Sequence, residues 1–128
     1  MWAEFSYNGL SMERFPQSEK LEKKFDAAAA FFRVIGYRKR LLVLYFLLEE
    51  EKSVGEIARA MRTGHSAISQ HLAALRRLNL LERRRVQQTV YYRVASAHVY
   101  WIVEFCCTND LLPQPAMAAT LLSEAPYE

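Results

Sequence analysis

The chain has 128 residues, 52% of them apolar, and a formal net charge of +3. That is room for one domain with tails around a small core. No uninterrupted apolar run reaches the ~18 residues that a membrane-spanning helix needs. The charge is unevenly spread. Residues 1–58 balance nine Lys and Arg against nine Asp and Glu, residues 59–93 set eight arginines against one acid, Glu82, and residues 94–128 hold four acids and no base. A basic central block is the electrostatic footprint of a protein that binds polyanions. Each guanidinium is suited to fork two hydrogen bonds to a phosphate or a guanine. The alternative is a merely solvated arginine-rich face.

Residues 1–17 show no period and are expected to form a flexible N-terminal arm; with early acids and no apolar stretch they do not read as a signal peptide. From Ser18 the pattern becomes helical: Leu21, Phe25, Ala28, Phe32 and Ile35 form one stripe, and Gly36 ends it. The run from Leu41 to Leu48 is apolar at every position, which implies a helix buried on all sides. Taken alone it also fits a buried strand, but its leucines and charged flanks favour helix. Ser53 is a good N-cap, and Glu56, three residues later, completes a capping box for a short helix, "VGEIARAM". "RTG" then reads as a turn.

The stretch "GHSAISQHLAALRR", Gly64 to Arg77, carries the chemistry. Ile68, Leu72 and Leu75 share one face and Leu78 continues it. The opposite face holds Ser66, Ser69, Gln70, Ala73, Arg76 and Arg77. His65 and His71 point about 120° apart on a helix, so they make no metal pair. The stretch has no carboxylate, and no nucleophile stands between a base and an orienting acid, so catalysis is excluded. What remains is a reading surface. A short helix, a tight turn and a second helix with Ser, Gln and Arg outside make a helix-turn-helix. Leu81–Arg85 and Thr89–Val94 follow as two β-prone segments around "VQQ", a wing. Alternation puts Arg83 and Arg85 on one face of it and Arg84 on the other.

The last apolar segment, "SAHVYWIVEFCCTNDLL", starts at Ser96 as N-cap. It carries two stripes, one of Val99, Ile102, Val103 and Cys106, the other of Trp101, Phe105 and Leu112. It needs cover on two sides, which one small domain cannot supply, so a dimer is expected. Residues 113–128, with three prolines, read as a C-terminal tail. The adjacent Cys106 and Cys107 cannot staple a secreted fold, which favours a reducing cytoplasm.

The segments "KRLLVLYFLL", "SVGEIA", "SAISQHLAALRRLNLLERRR" and "QTVYYRV" together resemble the ArsR/SmtB winged helix-turn-helix repressors, in particular their metal-independent, NolR/HlyU-like branch. The resemblance implies a mainly α fold of five helices with a small β-hairpin, forming one domain over residues 18–112 that dimerises through its first and last helices. It implies a homodimeric transcriptional repressor on double-stranded DNA at a pseudo-palindromic operator, with no cofactor. The candidate DNA contacts are Thr63, His65, Ser66, Ser69, Gln70, His71, Arg76, Arg77, Arg83, Arg84, Arg85, Gln88 and Thr89. The candidate dimer contacts are Leu21, Phe25, Phe32, Val99, Trp101, Ile102, Phe105 and Cys106. Two local departures stand out: "MRTGHS" replaces the usual turn, and "GYRKR" replaces an Asn-Pro before the second helix. The family's metal motifs are absent here. Ser53 and Gly55 occupy the thiol positions of one, and Ser96, His98, Asn109 and Leu112 occupy the Asp, His, His and Glu positions of the zinc site. Tyr45 and Leu111 replace the paired thiols of redox-sensing relatives, leaving Cys106 and Cys107 as candidates for thiol sensing. The competing function is a dimeric scaffold that keeps the fold without specific DNA binding.

Overall fold

A computed structural model describes residues 19–108 and 114–124. The N-terminal arm and Leu112 therefore lie outside the described residues. The chain divides after Gly36 into two units. In the first, the Leu21-to-Ile35 stripe forms helix α1, Glu19–Ile35. Gly36 ends it by a close approach: its N–H bonds the Phe32 carbonyl at 2.9 Å, and a Cβ at Gly36 would meet that oxygen at 2.9 Å.

The second unit runs in the order α2 (Arg38–Glu49), β1 (Lys52–Ser53), α3 (Val54–Met61), α4 (His65–Arg77), β2 (Leu81–Val86), β3 (Thr89–Val94), α5 (Ala97–Thr108) and α6 (Pro115–Glu124). β2 and β3 form the expected hairpin, in register from Leu81↔Val94 to Val86↔Thr89. The sheet has a third strand that local pattern did not indicate. β1 pairs antiparallel with β3, Lys52 opposite Tyr92 and Ser53 opposite Tyr91, so β3 is central. Among the described residues there are six helices rather than five. Three prolines made residues 113–128 read as a tail, yet one of them, Pro115, occupies the first helical position of α6, where its missing N–H costs no hydrogen bond.

The core lies where α2 packs on α4, α5 and β3, with α3 closing over α4. Val43, Leu44, Ile57, Ile68, Leu72, Leu75 and Val99 are fully buried there. Each such side chain contributes about 1.5–3 kcal/mol through removal of apolar surface from water. One expectation fails in α2. Its apolar run is not covered all round: Val43, Leu44 and Leu47 turn inward, but Tyr45 is 45% exposed. Eight consecutive apolar residues encircle a helix, while this core covers only one side of it.

The α3–α4 turn fixes how the two helices cross. Ser53 Oγ accepts the Glu56 N–H at 3.2 Å and starts α3 as expected. At the other end, Arg62 adopts the left-handed conformation, φ 50° and ψ 43°. Its N–H bonds Arg59 O at 3.2 Å, and the Thr63 N–H reaches back to Ala58 O at 3.0 Å. This pair of bonds is the Schellman closure, in which glycine is the usual left-handed residue. The glycine of the turn, Gly64, instead has φ −59° and serves as N-cap of α4 without a side-chain bond to the helix. The end of α4 repeats the closure: Asn79 N–H bonds Arg76 O at 2.9 Å and Leu80 N–H bonds Leu75 O at 3.3 Å, with Asn79 at φ 60°.

A Cβ at Gly64 would meet nothing within 4 Å. Gly64→Ser is therefore expected to supply the missing cap and reduce unfolded-state freedom, raising stability by about 0.5–1 kcal/mol. Thermal melting checks this; an unchanged or lower Tm contradicts the capping account.

Candidate nucleic-acid interface

Once Ile68, Leu72 and Leu75 are locked inward, helical geometry of about 100° per residue dictates what faces outward on α4. Ser66, Gln70 and Arg77 are exposed, and Ser69 is half-buried on the flank. Two openings run along this outer face. One, of about 520 Å3, separates α4 from the hairpin and is lined by His65, Ser69 and Ala73 opposite Arg83, Gln88 and Thr89. The other, of about 490 Å3, lies on the opposite flank, where Arg40 of α2 joins Ser66, Gln70, Ala73, Ala74 and Arg77. Ser69 and Ala73 border both. The outer face of α4 is thus a ridge of hydroxyl and amide groups between two arginine-bearing grooves.

The wing arginines are sorted by strand alternation. Arg83 faces the groove beside α4. Arg84, on the other face, donates from Nε and Nη2 to both carboxylate oxygens of Glu51, at 2.5 and 3.0 Å, and lies over the Tyr91 ring at 5.2 Å. The Arg84 hydrogen bond holds the Glu51 carboxyl below its usual pKa. Arg85 donates to the Gln87 carbonyl at 3.0 Å, at the tip of the hairpin, where Gln87 takes φ 56°. Arg93 pairs with Glu82 at 2.6 Å across the two strands. Arg83, Arg85 and Gln88 therefore project from the wing, whereas Arg84 braces it against the loop before β1.

Other candidates fall elsewhere. The Thr63 hydroxyl donates to Met61 O at 3.1 Å and closes the turn. Arg76 is half-buried beside Asn79, Leu81 and Glu82, and its Nε has no hydrogen-bond partner among the described residues. His71 is half-buried, and its Nδ1 accepts from Arg40 Nε at 3.2 Å. Arg40 also lies over the Tyr37 ring, 4.4 Å from its centroid. Reading the sequence missed Arg40. Its only signal was the basic run Arg38–Arg40, and nothing local says that this first turn of α2 lies beside α4.

On α5, Val99 was expected at a dimer interface, but it is fully buried in the core of its own chain, because that side of the helix packs on α2. Ile102 is half-buried. Trp101 and Phe105 remain 62% and 49% exposed, and Phe25 and Phe32 of α1 are 64% and 65% exposed; Leu21 is half-buried. Ser96 caps α5 by accepting the His98 N–H at 3.2 Å. Cys106 and Cys107 are exposed free thiols. Partial burial, then the neighbouring Cys107, push the Cys106 pKa up, which lowers its thiolate fraction and its reactivity. Among the described residues, no three His, Cys, Asp or Glu side chains gather as a metal site, and no helix is long and apolar enough to cross a membrane.

Two consecutive helices joined by a tight turn and followed by a β-hairpin define a winged helix-turn-helix protein. Residues 38–83 match the arsR family of bacterial regulatory proteins. The transcriptional activator HlyU of Vibrio cholerae is 37% identical over 97 residues, 72% of this chain and 90% of that one. The crystal structure of NolR from Sinorhizobium fredii is 38% identical with a TM-score of 0.66, covering 71% of this chain and 91% of that one. A homodimeric winged helix-turn-helix DNA-binding domain from Mycobacterium bovis, solved by NMR, is 25% identical with a TM-score of 0.60, covering 87% and 92%. The chain belongs to the ArsR family, and it is a DNA-binding transcriptional regulator.

The partly buried setting of His71 makes stability depend on pH. Burial first, then the nearby charges of Arg40 and Lys39, lower the His71 pKa from its ordinary 6.5. The unfolded chain therefore binds this proton more readily, and stability falls as pH drops below about 6.5 toward the lower folded value. Tm is expected to decline between pH 7.5 and 5.5, and His71→Gln to flatten the decline. Parallel profiles for the two proteins would contradict the assignment.

Proposed function

We propose that this regulator is a homodimeric repressor that acts in the cytoplasm by occupying a pseudo-palindromic operator. The observation that carries the reading is the ridge of α4. Ser66, Ser69 and Gln70 stand at its N-terminal half, the end that contacts base edges in helix-turn-helix docking. Gln bonds adenine bidentately, and Ser reaches several bases. Arg83 and Arg85 of the wing and Arg77 of α4 meet phosphates, which position the protein without reading sequence. The groups are those of a reader rather than a catalyst.

Dimerisation is supported by the aromatic surface of α5 and by the homodimeric Mycobacterium bovis domain of the same fold. Two-fold symmetry presents two copies of α4 to two half-sites about one helical turn apart. The thiols of Cys106 and Cys107 play no part in this reading.

Gel shifts on the protein's own upstream DNA and on random duplex, at two salt concentrations, test the function. Gln70→Ala is expected to weaken operator binding by about 1–3 kcal/mol and random binding little, whereas Arg85→Ala weakens both alike and lowers the salt slope by about one. Equal losses on both duplexes for Gln70→Ala would make α4 a backbone clamp. Trp101→Glu with Phe105→Glu is expected to yield folded monomers in sedimentation; intact dimers would place the interface elsewhere.

A further inference from the structure

The wing hairpin has few anchors of its own. β2 is an edge strand, since the sheet runs β1-β3-β2, and of its six residues only Leu81 is buried. In β3 the buried residue is Tyr92, and the two residues of β1 pair only with Tyr91 and Tyr92. An isolated two-stranded hairpin is at best marginally stable in water. The outer half of this one carries Arg85 and Gln88, so its direction depends on a tie beyond the ladder.

One charged pair makes that tie. Arg93 pairs with Glu82, and Arg85 with the Gln87 carbonyl, both within the hairpin. Among the described residues, Arg84 is the hairpin arginine whose hydrogen-bond partner lies outside it. Its Nε and Nη2 donate to Oε1 and Oε2 of Glu51, in the loop between α2 and β1. A bidentate fork is the geometry in which a partly exposed ion pair imposes order. The Tyr91 ring lies under the same guanidinium, 5.2 Å from it, and confines it from the sheet side. Arg84 stands between Arg83 and Arg85 on one strand. Strand alternation turns those two to the opposite face, so fixing Arg84 fixes the direction of both.

We propose that Glu51 is a positioning residue for DNA binding: through Arg84 it sets the wing so that Arg83 and Arg85 meet phosphates. The inference rests on the DNA-binding reading above and extends it to a carboxylate that makes no contact with DNA. Its sign is opposite to that of simple charge. A carboxylate beside a basic surface repels a polyanion, and its removal raises the attractive field. Removal of Glu51 also releases Arg84. On charge alone, Glu51→Gln tightens binding; on positioning, it loosens binding. Because phosphates carry no sequence information, the loss falls on every duplex alike.

The probe is a random-sequence duplex of about three helical turns, with Kd measured by fluorescence anisotropy across a salt series. Glu51→Gln is expected to raise Kd several-fold although it makes each chain more positive. It is also expected to speed amide exchange in the hairpin and not in α4. Arg84→Lys keeps the charge, loses the fork, and is expected to raise Kd as well. Arg85→Ala, which lowers the salt slope by about one in the wild type, is expected to lower it less in Glu51→Gln, where that contact is already weakened. Folded Glu51→Gln protein that binds as tightly as wild type, or more tightly, would overturn the proposal. Should that variant not fold, Arg84→Lys with wild-type Kd would overturn it at unchanged charge. A wild-type slope in both Arg83→Ala and Arg85→Ala would instead overturn the wing's phosphate contacts, and the proposal with them, a distinguishable result.

Discussion

The inward stripe of α4 is the constraint on which the rest depends. Ile68, Leu72 and Leu75 are each fully buried. Truncating one to alanine would cost about 2–5 kcal/mol, so the helix has no other rotation available to it. Its outer residues are placed by this anchoring rather than by any contact of their own. Ser66 and Gln70 need no partner inside the protein, because their orientation is set on the far side of the same helix. The reading surface is thus preorganised by apolar packing, and its polar groups stay open to solvent.

The flanks are arranged differently. Long guanidinium side chains are not held by core packing, so each is steered by a specific neighbour. Arg84 is steered by Glu51 and Tyr91, Arg85 by the Gln87 carbonyl, and Arg40 by His71 and Tyr37. These neighbours divide the arginines by task. An arginine matched by a carboxylate, as Arg84 is, stiffens the hairpin, and one held by a backbone carbonyl, as Arg85 is, keeps its field toward an incoming polyanion. The basic block of the sequence is therefore not one uniform patch, because Glu51 and Glu82 each engage one of its members.

Much of this was legible in the chain. The α4 stripe, the Ser53 and Ser96 caps, the hairpin alternation and the ArsR resemblance all rest on short-range periodicity, which sequence displays directly. What was not legible depends on partners distant in sequence. Strand β1 exists only because Lys52 and Ser53 lie against Tyr92 and Tyr91, some forty residues away. Arg40 and His71 are 31 residues apart, and Arg84 and Glu51 are 33 apart. Val99 looked like an interface residue because a largely apolar helix does not say which of its sides faces its own core. The turn misled in another way. "RTG" read as a turn, but nothing local told which residue closes it: the closure falls at Arg62, where the hydrogen bonds of α3 run out, and Gly64 caps α4 instead.

The aromatic face of α5 has a consequence for how the regulator responds to its own abundance. Tyr100, Trp101 and Phe105 stand in solvent on a lone protomer. On the dimeric reading, covering them and filling two half-sites are linked equilibria, each drawing the other forward by mass action. A single protomer holds one half-site through one ridge, whereas two tethered ridges act at an effective concentration far above that of free chains. Occupancy then rises with roughly the square of chain concentration while protomers predominate. The exposed rings would thereby turn a gradual change in expression into a threshold.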